Sequence, residues 1–216
     1  MAEKVDSQRR REIARAAARL FRHQGYERTS VRQIADALAM TSGSLFYHYA
    51  SKEEILIGVM EEGIGSVFAE VQAGLAREDH APEQVLAMVR CHLAALLGPN
   101  LDALMVLLYE WRSLSEAARE RVVKWRNRYE ALWDGALAGA AAEGWIDPEV
   151  VLVRQTALGA LNWTGQWYRP DRRLDVDALA LRMYELLFPR LFERLGGGRS
   201  AAVPRAAVAS SRTAAA

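Results

Sequence analysis

The sequence has one cysteine, Cys91, so no disulfide can form within one chain and a disulfide-stapled fold is excluded. It has no apolar run near the roughly 18 residues that a membrane-spanning helix requires. Its opening residues, MAEKVDSQRRREI, are charged and lack the apolar segment of a secretory signal. With 216 residues, 51% of them hydrophobic, the chain can bury a core, and we expect a folded cytoplasmic protein.

Residues that catalyse reactions or bind metals are also scarce. The Cys91-His92 pair has no partners at metal-ligand spacing, and His23 and His80 lack a companion serine or cysteine constellation. The glycines at 196–198 follow a predicted helix instead of opening one, so they do not form a phosphate-binding loop. We therefore predict that the protein is not an enzyme and uses no metal ion or cofactor.

A large charge of one sign is missing as well. A net charge of +1 would ordinarily argue against nucleic acid as a partner, because DNA-binding domains usually carry a basic excess. The charge is uneven, however: residues 1–54 carry +3, residues 55–198 carry −5 and residues 199–216 carry +3. All six tryptophans lie in the second half of the chain. This distribution indicates a basic part and an acidic, tryptophan-rich part with different roles.

The spacing of apolar residues is helical throughout, and no segment alternates as a strand would. We predict an all-α protein with a helix-turn-helix domain at residues 1–54, a helical effector-binding and dimerisation domain at 55–196, and a disordered tail at 197–216. Three short helices precede a long fourth one. Polar, proline and glycine breaks predict later helices over about 82–97, 101–111, 116–142, 148–168 and 176–195.

Capping sequences predict where several helices begin. Ser30 with Gln33 forms a capping box, and Ser51 with Glu54 forms another that opens the fourth helix. The dipeptide Asp147-Pro148 places a capping side chain before a proline at the first helical position. These signals fix helix starts from local chemistry alone.

Residues 30–49, SVRQIADALAMTSGSLFYHY, have the form of two short helices joined by a tight turn. This geometry places a second helix in the major groove of DNA. Thr41 and Ser42 offer short hydroxyls to phosphates or base edges, and Gly43 lets the backbone approach closely. Arg32 can contact a guanine or a phosphate through two hydrogen bonds. The segment therefore predicts a DNA reader.

The stretches ARLFRHQGYERTS and TSVRQIADALAMTSGSLFYHYASKEEIL resemble the N-terminal domain of TetR-type transcriptional regulators. The resemblance implies a homodimeric repressor that binds double-stranded operator DNA and is released by a small-molecule effector. Many members have phenylalanine or valine where Tyr49 stands. Many also have lysine where Ser42 stands, and it is the loss of this lysine that affects one phosphate contact. Matched by position, the family's DNA contacts fall on Ser30, Arg32, Thr41, Ser42, Gly43, Tyr47, His48 and Lys52.

The acidic part carries aromatic and polar side chains on shared helical faces. Trp163 and Trp167 are four residues apart, as are Tyr129 and Trp133. A mostly apolar cavity between helices, with a few polar groups, is the usual form of a small-molecule site, although packing in a core or dimer would also explain tryptophans. The predicted effector-binding residues are Leu108, Tyr109, Arg112, Arg126, Tyr129, Trp133, Asn162, Trp163 and Trp167.

The segments YEWRSLSEAARERVVKWRNRYE and LGALNWTGQWYRP resemble a TetR-type subgroup whose effectors are acyl-CoA thioesters. This resemblance implies that an acyl group lies among the aromatic residues, while arginines such as Arg112, Arg126 or Arg169 meet the nucleotide. Glu110 and Glu130 leave open a multidrug or aromatic-compound sensor, because buried carboxylates beside aromatic rings bind cations. A helical ligand-binding protein that does not bind DNA is a further alternative.

The last two predicted helices are rich in large apolar residues that must cover more than one face. Such helices suit a bundle shared by two subunits, so we predict a homodimer formed through them. A two-fold dimer sets its recognition helices one or more DNA turns apart, which predicts a pseudo-palindromic operator.

Overall fold

The computed structural model describes residues 2–170 and 174–196, and every regular element in those ranges is a helix. This confirms the all-α class; the predicted tail at 197–216 lies outside the described residues. A 3-10 turn, Trp111–Ser113, follows the sixth helix. The helices are α1 Ala2–Gln24, α2 Val31–Asp36, α3 Ser42–His48, α4 Lys52–Leu75, α5 Ala81–Leu97, α6 Leu101–Tyr109, α7 Glu116–Ala142, α8 Val150–Trp167, α9 Val176–Leu187 and α10 Pro189–Arg194.

The capping box predicted at the start of α2 is present, and α3 also begins with a side-chain cap. The Gln33 backbone N–H donates to Ser30 Oγ at 3.2 Å, and Gln33 Oε1 accepts from the Ser30 N–H at 2.8 Å, which completes the capping box. Thr41 Oγ1 accepts from the Ser44 N–H at 3.1 Å at the start of α3. Short polar side chains therefore cap the starts of both helices.

Only one of the two hydrogen bonds of the second predicted capping box forms. Ser51 Oγ accepts from the Glu54 N–H at 3.0 Å, as expected. The Glu54 carboxylate does not return to Ser51, because it accepts from the Arg121 guanidinium of α7 at 2.8 Å. A charge-assisted bond is stronger than one to a neutral N–H, so the ion pair across helices prevails.

Three predicted helix limits are wrong. The helix predicted to start at Pro148 starts at Val150, since Asp147 Oδ1 accepts from the Glu149 N–H at 2.8 Å in a separate turn. The helix predicted over 176–195 divides before Pro189, which has no N–H to continue α9. The helix predicted to reach residue 111 gives way to the 3-10 turn after Tyr109.

The buried core of the N-terminal helices extends beyond the predicted boundary at residue 54. It combines Ile13, Phe21 and Leu45 with α4 residues such as Ile55, and with Val106 of α6. A second core joins α5, α7, α8 and α9 with other residues of α4 and α6. Helices α4 and α6 therefore contribute to both cores, and the division at residue 54 stays a prediction about function.

Helices α4 and α6 lie close together at Gly63, which has no side chain to hold them apart. A Cβ added there would lie 3.2 Å from both the carbonyl carbon and the Cβ of Ala103. The next residues on the two helices, Ile64 and Leu104, line the cavity described below. This close contact between the helices is thus one residue away from that cavity.

No individual helix in the described ranges combines the length and apolar character needed to cross a membrane. Ala81–Leu97 and Leu101–Tyr109 meet that criterion only as a pair, and the pair is bent by 97°.

Candidate DNA interface and effector cavity

Two of the predicted DNA contacts project freely from the surface of the N-terminal helices. The side chain of Arg32 is 86% exposed and has only a long contact of 3.8 Å with Asp36. Tyr47 is 83% exposed on α3, and its ring meets only the edge of the His48 ring. Because neither group is committed to the core, both are available to a ligand.

Ser30 at the start of α2 and Thr41 at the start of α3 differ in whether the hydroxyl proton is free to be donated to a ligand. Ser30 Oγ accepts from Gln33 and also donates to Gln33 Oε1 at 3.1 Å, so its hydrogen-bonding capacity is largely used. Thr41 Oγ1 accepts from Ser44, which leaves its O–H free to donate to a phosphate. Ser42 is half-buried and Gly43 is exposed at the first turn of α3.

His48 and Lys52 are held by neighbouring groups instead of projecting freely. His48 Nδ1 lies 2.6 Å from Asp6 Oδ1 of α1, and its side chain is only 12% exposed. The Lys52 ammonium donates to the Glu27 carbonyl at 3.3 Å and lies 4.2 Å from the ring centroid of Tyr26. Their DNA contacts stay a prediction; in the structure His48 attaches α3 to α1, and Lys52 attaches the start of α4 to the α1–α2 connection.

The departure at Tyr49 has a structural explanation. Its hydroxyl donates to the Arg10 carbonyl at 3.1 Å, and the Arg10 guanidinium lies 4.2 Å from its ring centroid. Arg10 also donates to the His48 carbonyl. A Cβ at Gly58 would come within 2.7 Å of the Tyr49 hydroxyl, so the larger ring is accommodated by the absence of a side chain there.

Replacing Gly43 with alanine should lower operator affinity without lowering the stability of the fold. A Cβ at residue 43 would meet only Thr41 Oγ1, at 3.9 Å, and alanine favours helix by up to about 1 kcal/mol over glycine. We expect Gly43→Ala to melt at or above the wild-type temperature while operator affinity falls about ten-fold or more, since the methyl keeps the backbone from the phosphates. Calorimetry and fluorescence anisotropy measure the two effects; unchanged affinity would contradict the close approach.

A cavity of about 600 Å³ lies between α4, α5, α6, α7 and α8. Its walls are mainly apolar, a composition typical of small-molecule sites of this size. Six of the nine predicted effector-binding residues line it: Leu108, Tyr109, Arg112, Arg126, Tyr129 and Asn162.

The three predicted tryptophans lie elsewhere. Trp133 is fully buried in the core and is not part of the cavity wall. Trp163 and Trp167 are 60% and 48% exposed on the outside of α8. Their spacing correctly placed the two on one helical face, but that face points away from the cavity.

The buried end of the cavity holds a polar triad, His92, Tyr129 and Asn162. His92 Nδ1 lies 2.6 Å from the Tyr129 hydroxyl, and His92 Nε2 lies 3.1 Å from Asn162 Oδ1. Because Oδ1 can only accept, Nε2 carries the proton and Nδ1 accepts from Tyr129. Burial lowers the pKa of His92 to about 4, so the imidazole is neutral at pH 7. No sequence signal points to this triad, since the partners of His92 are 37 and 70 residues away along the chain.

Acid should destabilise the protein through His92. Its pKa is about 4 when folded and about 6.5 in an unfolded chain, so the unfolded state binds a proton first as pH falls. We expect His92 to lower the free energy of unfolding by up to about 3 kcal/mol between pH 7 and pH 4. Urea denaturation at a fixed protein concentration should show a smaller pH dependence in His92→Gln than in the wild type. Equal pH dependences would contradict this assignment.

The outer end of the cavity carries positive charge. Arg112 and Arg126 are exposed there, and the Arg126 guanidinium lies 5.5 Å from the Trp111 ring centroid. The Glu130 carboxylate also lines the cavity, but it is paired with Arg126 at 3.4 Å and with the buried Arg154 at 2.7 Å. Two guanidiniums thus neutralise the single carboxylate of the wall.

The other candidate carboxylate, Glu110, faces the N-terminal helices. Its Oε1 accepts from the Tyr26 N–H at 3.1 Å, and its Oε2 accepts from the Ser113 hydroxyl at 3.0 Å. Glu110 therefore does not line the cavity, and Glu130, which does, is already paired with two guanidiniums. The described residues also contain no group of three or more potential metal ligands.

Comparison with known proteins matches both halves of the chain to family profiles. Residues 13–59 match "Bacterial regulatory proteins, tetR family", and residues 78–191 match "Tetracyclin repressor-like, C-terminal domain". The HTH-type transcriptional repressor KstR2 of Rhodococcus jostii is 30% identical over 203 residues, which cover 86% of this chain and 92% of that protein.

Solved structures have the same fold. The AibR structure in complex with isovaleryl coenzyme A and operator DNA has a TM-score of 0.77 and 28% identity, covering 84% of this chain and 98% of that one. The structure of the superantigen PfiT has a TM-score of 0.69 and 42% identity, covering 82% of this chain and 93% of that one.

Proposed function

Since the chain belongs to the TetR family of DNA-binding transcriptional repressors, we propose that an acyl-CoA thioester is its effector and releases it from a pseudo-palindromic operator. The observation that carries this proposal is the cavity, which is apolar inside and has Arg112 and Arg126 at its outer end. An acyl group would occupy the apolar interior, and the guanidiniums would meet the phosphates. AibR, which binds isovaleryl coenzyme A, supports the same effector class.

We assign operator contact to the exposed side of α2 and α3. Arg32, Tyr47 and the backbone at Gly43 would reach the DNA directly, and Thr41 and Ser42 would donate hydroxyls to phosphates. Ser30, His48 and Lys52 complete the predicted set. Their contacts within the protein favour a role in orienting α3, together with any phosphate contact they make.

We assign dimerisation to the outer apolar face, Leu152, Trp163 and Trp167 of α8 with Leu186 of α9. All four are large apolar side chains that are about half or more exposed. Aromatic residues on such a patch are typical of interface centres. A two-fold axis through this face would bring α8 and α9 of two subunits into one bundle and fix the spacing of the recognition helices.

The crossing of α4 and α6 provides a path from effector to DNA. Ile64 and Leu104 line the cavity, while their neighbours Gly63 and Ala103 are so close that a Cβ at residue 63 would lie 3.2 Å from the Ala103 carbonyl carbon. An acyl group that displaces α6 would therefore move α4, whose N-terminus follows α3 by three residues. The hydrogen bond from the Tyr26 N–H to Glu110 joins the same segment to the connection before α2.

Titrating the effector with and without operator tests this function. The binding site on DNA is first located by mobility shift with the region upstream of the protein's own coding sequence. If isovaleryl-CoA or hexanoyl-CoA weakens DNA binding ten-fold, linkage requires that it bind the DNA complex ten-fold less tightly, about 1.4 kcal/mol of coupling. Equal affinity with and without DNA would refute the repressor mechanism.

The arginine assignment has its own control. Arg112→Ala with Arg126→Ala should weaken acyl-CoA binding but leave the weaker binding of the free acid little changed. Arg128→Ala removes the same charge from α7 at an exposed position outside the cavity wall and should have little effect. Stabilisation by cationic dyes, with none by acyl-CoAs in a thermal-shift panel, would contradict the effector class.

A further inference from the structure

The polar triad at the buried end of the cavity leaves one hydrogen-bonding group unused. Asn162 Oδ1 accepts from His92, and Tyr129 donates its only hydroxyl proton to the same imidazole. Within the described residues, the Asn162 Nδ2 group donates no hydrogen bond. Since Asn162 lines the cavity, this amide can present its donors to an occupant.

The direction of the triad follows from Asn162 Oδ1, which can only accept a hydrogen bond from His92. Burial lowers the pKa of His92 and raises that of Tyr129, so both are neutral at pH 7. The chain of bonds runs from the Tyr129 hydroxyl through His92 to Asn162 Oδ1, so the oxygen of the amide faces His92 and its nitrogen is the unused donor. This arrangement selects a hydrogen-bond acceptor in the occupant.

The triad and the outer end of the cavity differ in their exposure to solvent. His92 and Tyr129 are buried, whereas Arg112 and Arg126 are exposed. If phosphates meet the arginines, the part of the ligand that reaches the triad is the far part of the acyl group. A plain hydrocarbon there would strip water from the Asn162 amide without replacing its hydrogen bonds, which costs binding free energy.

We propose that the effector's acyl group carries a carbonyl oxygen, separate from the thioester, that accepts a hydrogen bond from Asn162 at the buried end of the cavity. This inference rests on the proposed function and narrows it to oxygenated acyl groups, such as those with a ring ketone. Asn162 is then a specificity-determining residue, and His92 with Tyr129 positions its amide.

Matched ligands test the inference. Isothermal titration compares 4-oxocyclohexanecarbonyl-CoA with cyclohexanecarbonyl-CoA, and 5-oxohexanoyl-CoA with hexanoyl-CoA. We expect the ketone of at least one pair to bind about ten-fold or more tightly than its partner. A parallel arm compares the neutral fragments 4-oxocyclohexanecarboxamide and cyclohexanecarboxamide at millimolar concentration, so that binding at the triad is measured without the CoA part.

Variants assign the preference to the amide. Asn162→Leu removes the donor, and Asn162→Asp keeps an acceptor for His92 while replacing the donor with oxygen, so both should bring the ketone preference close to one-fold. Asn127→Leu makes the same change at an exposed position of α7 and should retain the preference. Circular dichroism establishes that each variant is folded, and Asn162→Asp provides the test if Asn162→Leu is not.

The outcomes distinguish the two proposals. Ketone preference in the fragment arm, with no binding of any thioester, would support the triad assignment and overturn the acyl-CoA effector. Thioester binding without ketone preference in either arm would overturn the triad assignment and leave the acyl-CoA effector standing. Retention of the ketone preference in both Asn162 variants would also overturn the triad assignment. No binding of thioesters or fragments would overturn both the triad assignment and the acyl-CoA effector.

Discussion

Replacing Tyr47 with alanine should weaken operator binding by between about 30-fold and about 20,000-fold. Loss of one specific contact costs about 1–3 kcal/mol, and a two-fold dimer loses it at both half-sites, so the change reaches about 2–6 kcal/mol. Because the ring is 83% exposed, the free energy of unfolding should change by less than about 0.5 kcal/mol. Fluorescence anisotropy with labelled operator and urea denaturation measure the two quantities.

Arg32→Ala should behave in the same way, because its guanidinium has only a long, exposed contact with Asp36. The matched control is Arg15→Ala, which removes the same charge from the exposed side of α1, outside the helix pair α2 and α3. It should weaken binding only through the general attraction to phosphates. Full operator affinity in Tyr47→Ala and Arg32→Ala would refute the assignment of α2 and α3 as the DNA reader.

Replacing Trp163 with aspartate should raise the dissociation constant of the dimer about 1,000-fold. A central tryptophan contributes about 2 kcal/mol or more to an interface, and the two-fold axis places it in the contact twice. A carboxylate there would also need to be desolvated. The folded subunit should be little affected because Trp163 is largely exposed. Sedimentation velocity over a concentration series measures the shift from dimer to monomer.

Ala73→Asp is the control for Trp163→Asp, since it adds the same charge at an exposed position of α4. It should leave the dimer intact. The Trp163→Asp monomer should also bind operator poorly, because the basic excess of a single N-terminal domain is only +3 and each DNA complex needs two of them. A Trp163→Asp protein that sediments as wild type would place the dimer interface elsewhere.

Sequence alone predicts features that depend on neighbouring residues. The capping box of Ser30 and Gln33 forms as predicted, and α7 spans the predicted residues 116–142. The helix pair of the N-terminal domain follows from such local signals, and so do its exposed Arg32 and Tyr47. Each of these features is decided within a few residues of the chain.

Features that depend on distant residues were not predictable in this way. Periodicity places Trp163 and Trp167 on one face of α8, but it does not tell whether that face meets the cavity or the outside, because both sides of the helix carry large apolar residues. Glu54 bonds to Arg121, and His92 bonds to Tyr129 and Asn162, across separations of 37 to 70 residues. Only the packed helices bring these partners together.

The close contact of Gly63 with Ala103 would allow related proteins to differ in how strongly an effector changes their DNA binding. Elsewhere between helices, side chains can change rotamer and absorb a small displacement, but a backbone contact has no such slack. If displacement of α6 moves α4 through this contact, as we propose, the strength of the response is set at this crossing and the ligand preference is set separately by the cavity wall. Two proteins with identical cavities but different residues at position 63 would bind the same molecule and respond to it unequally.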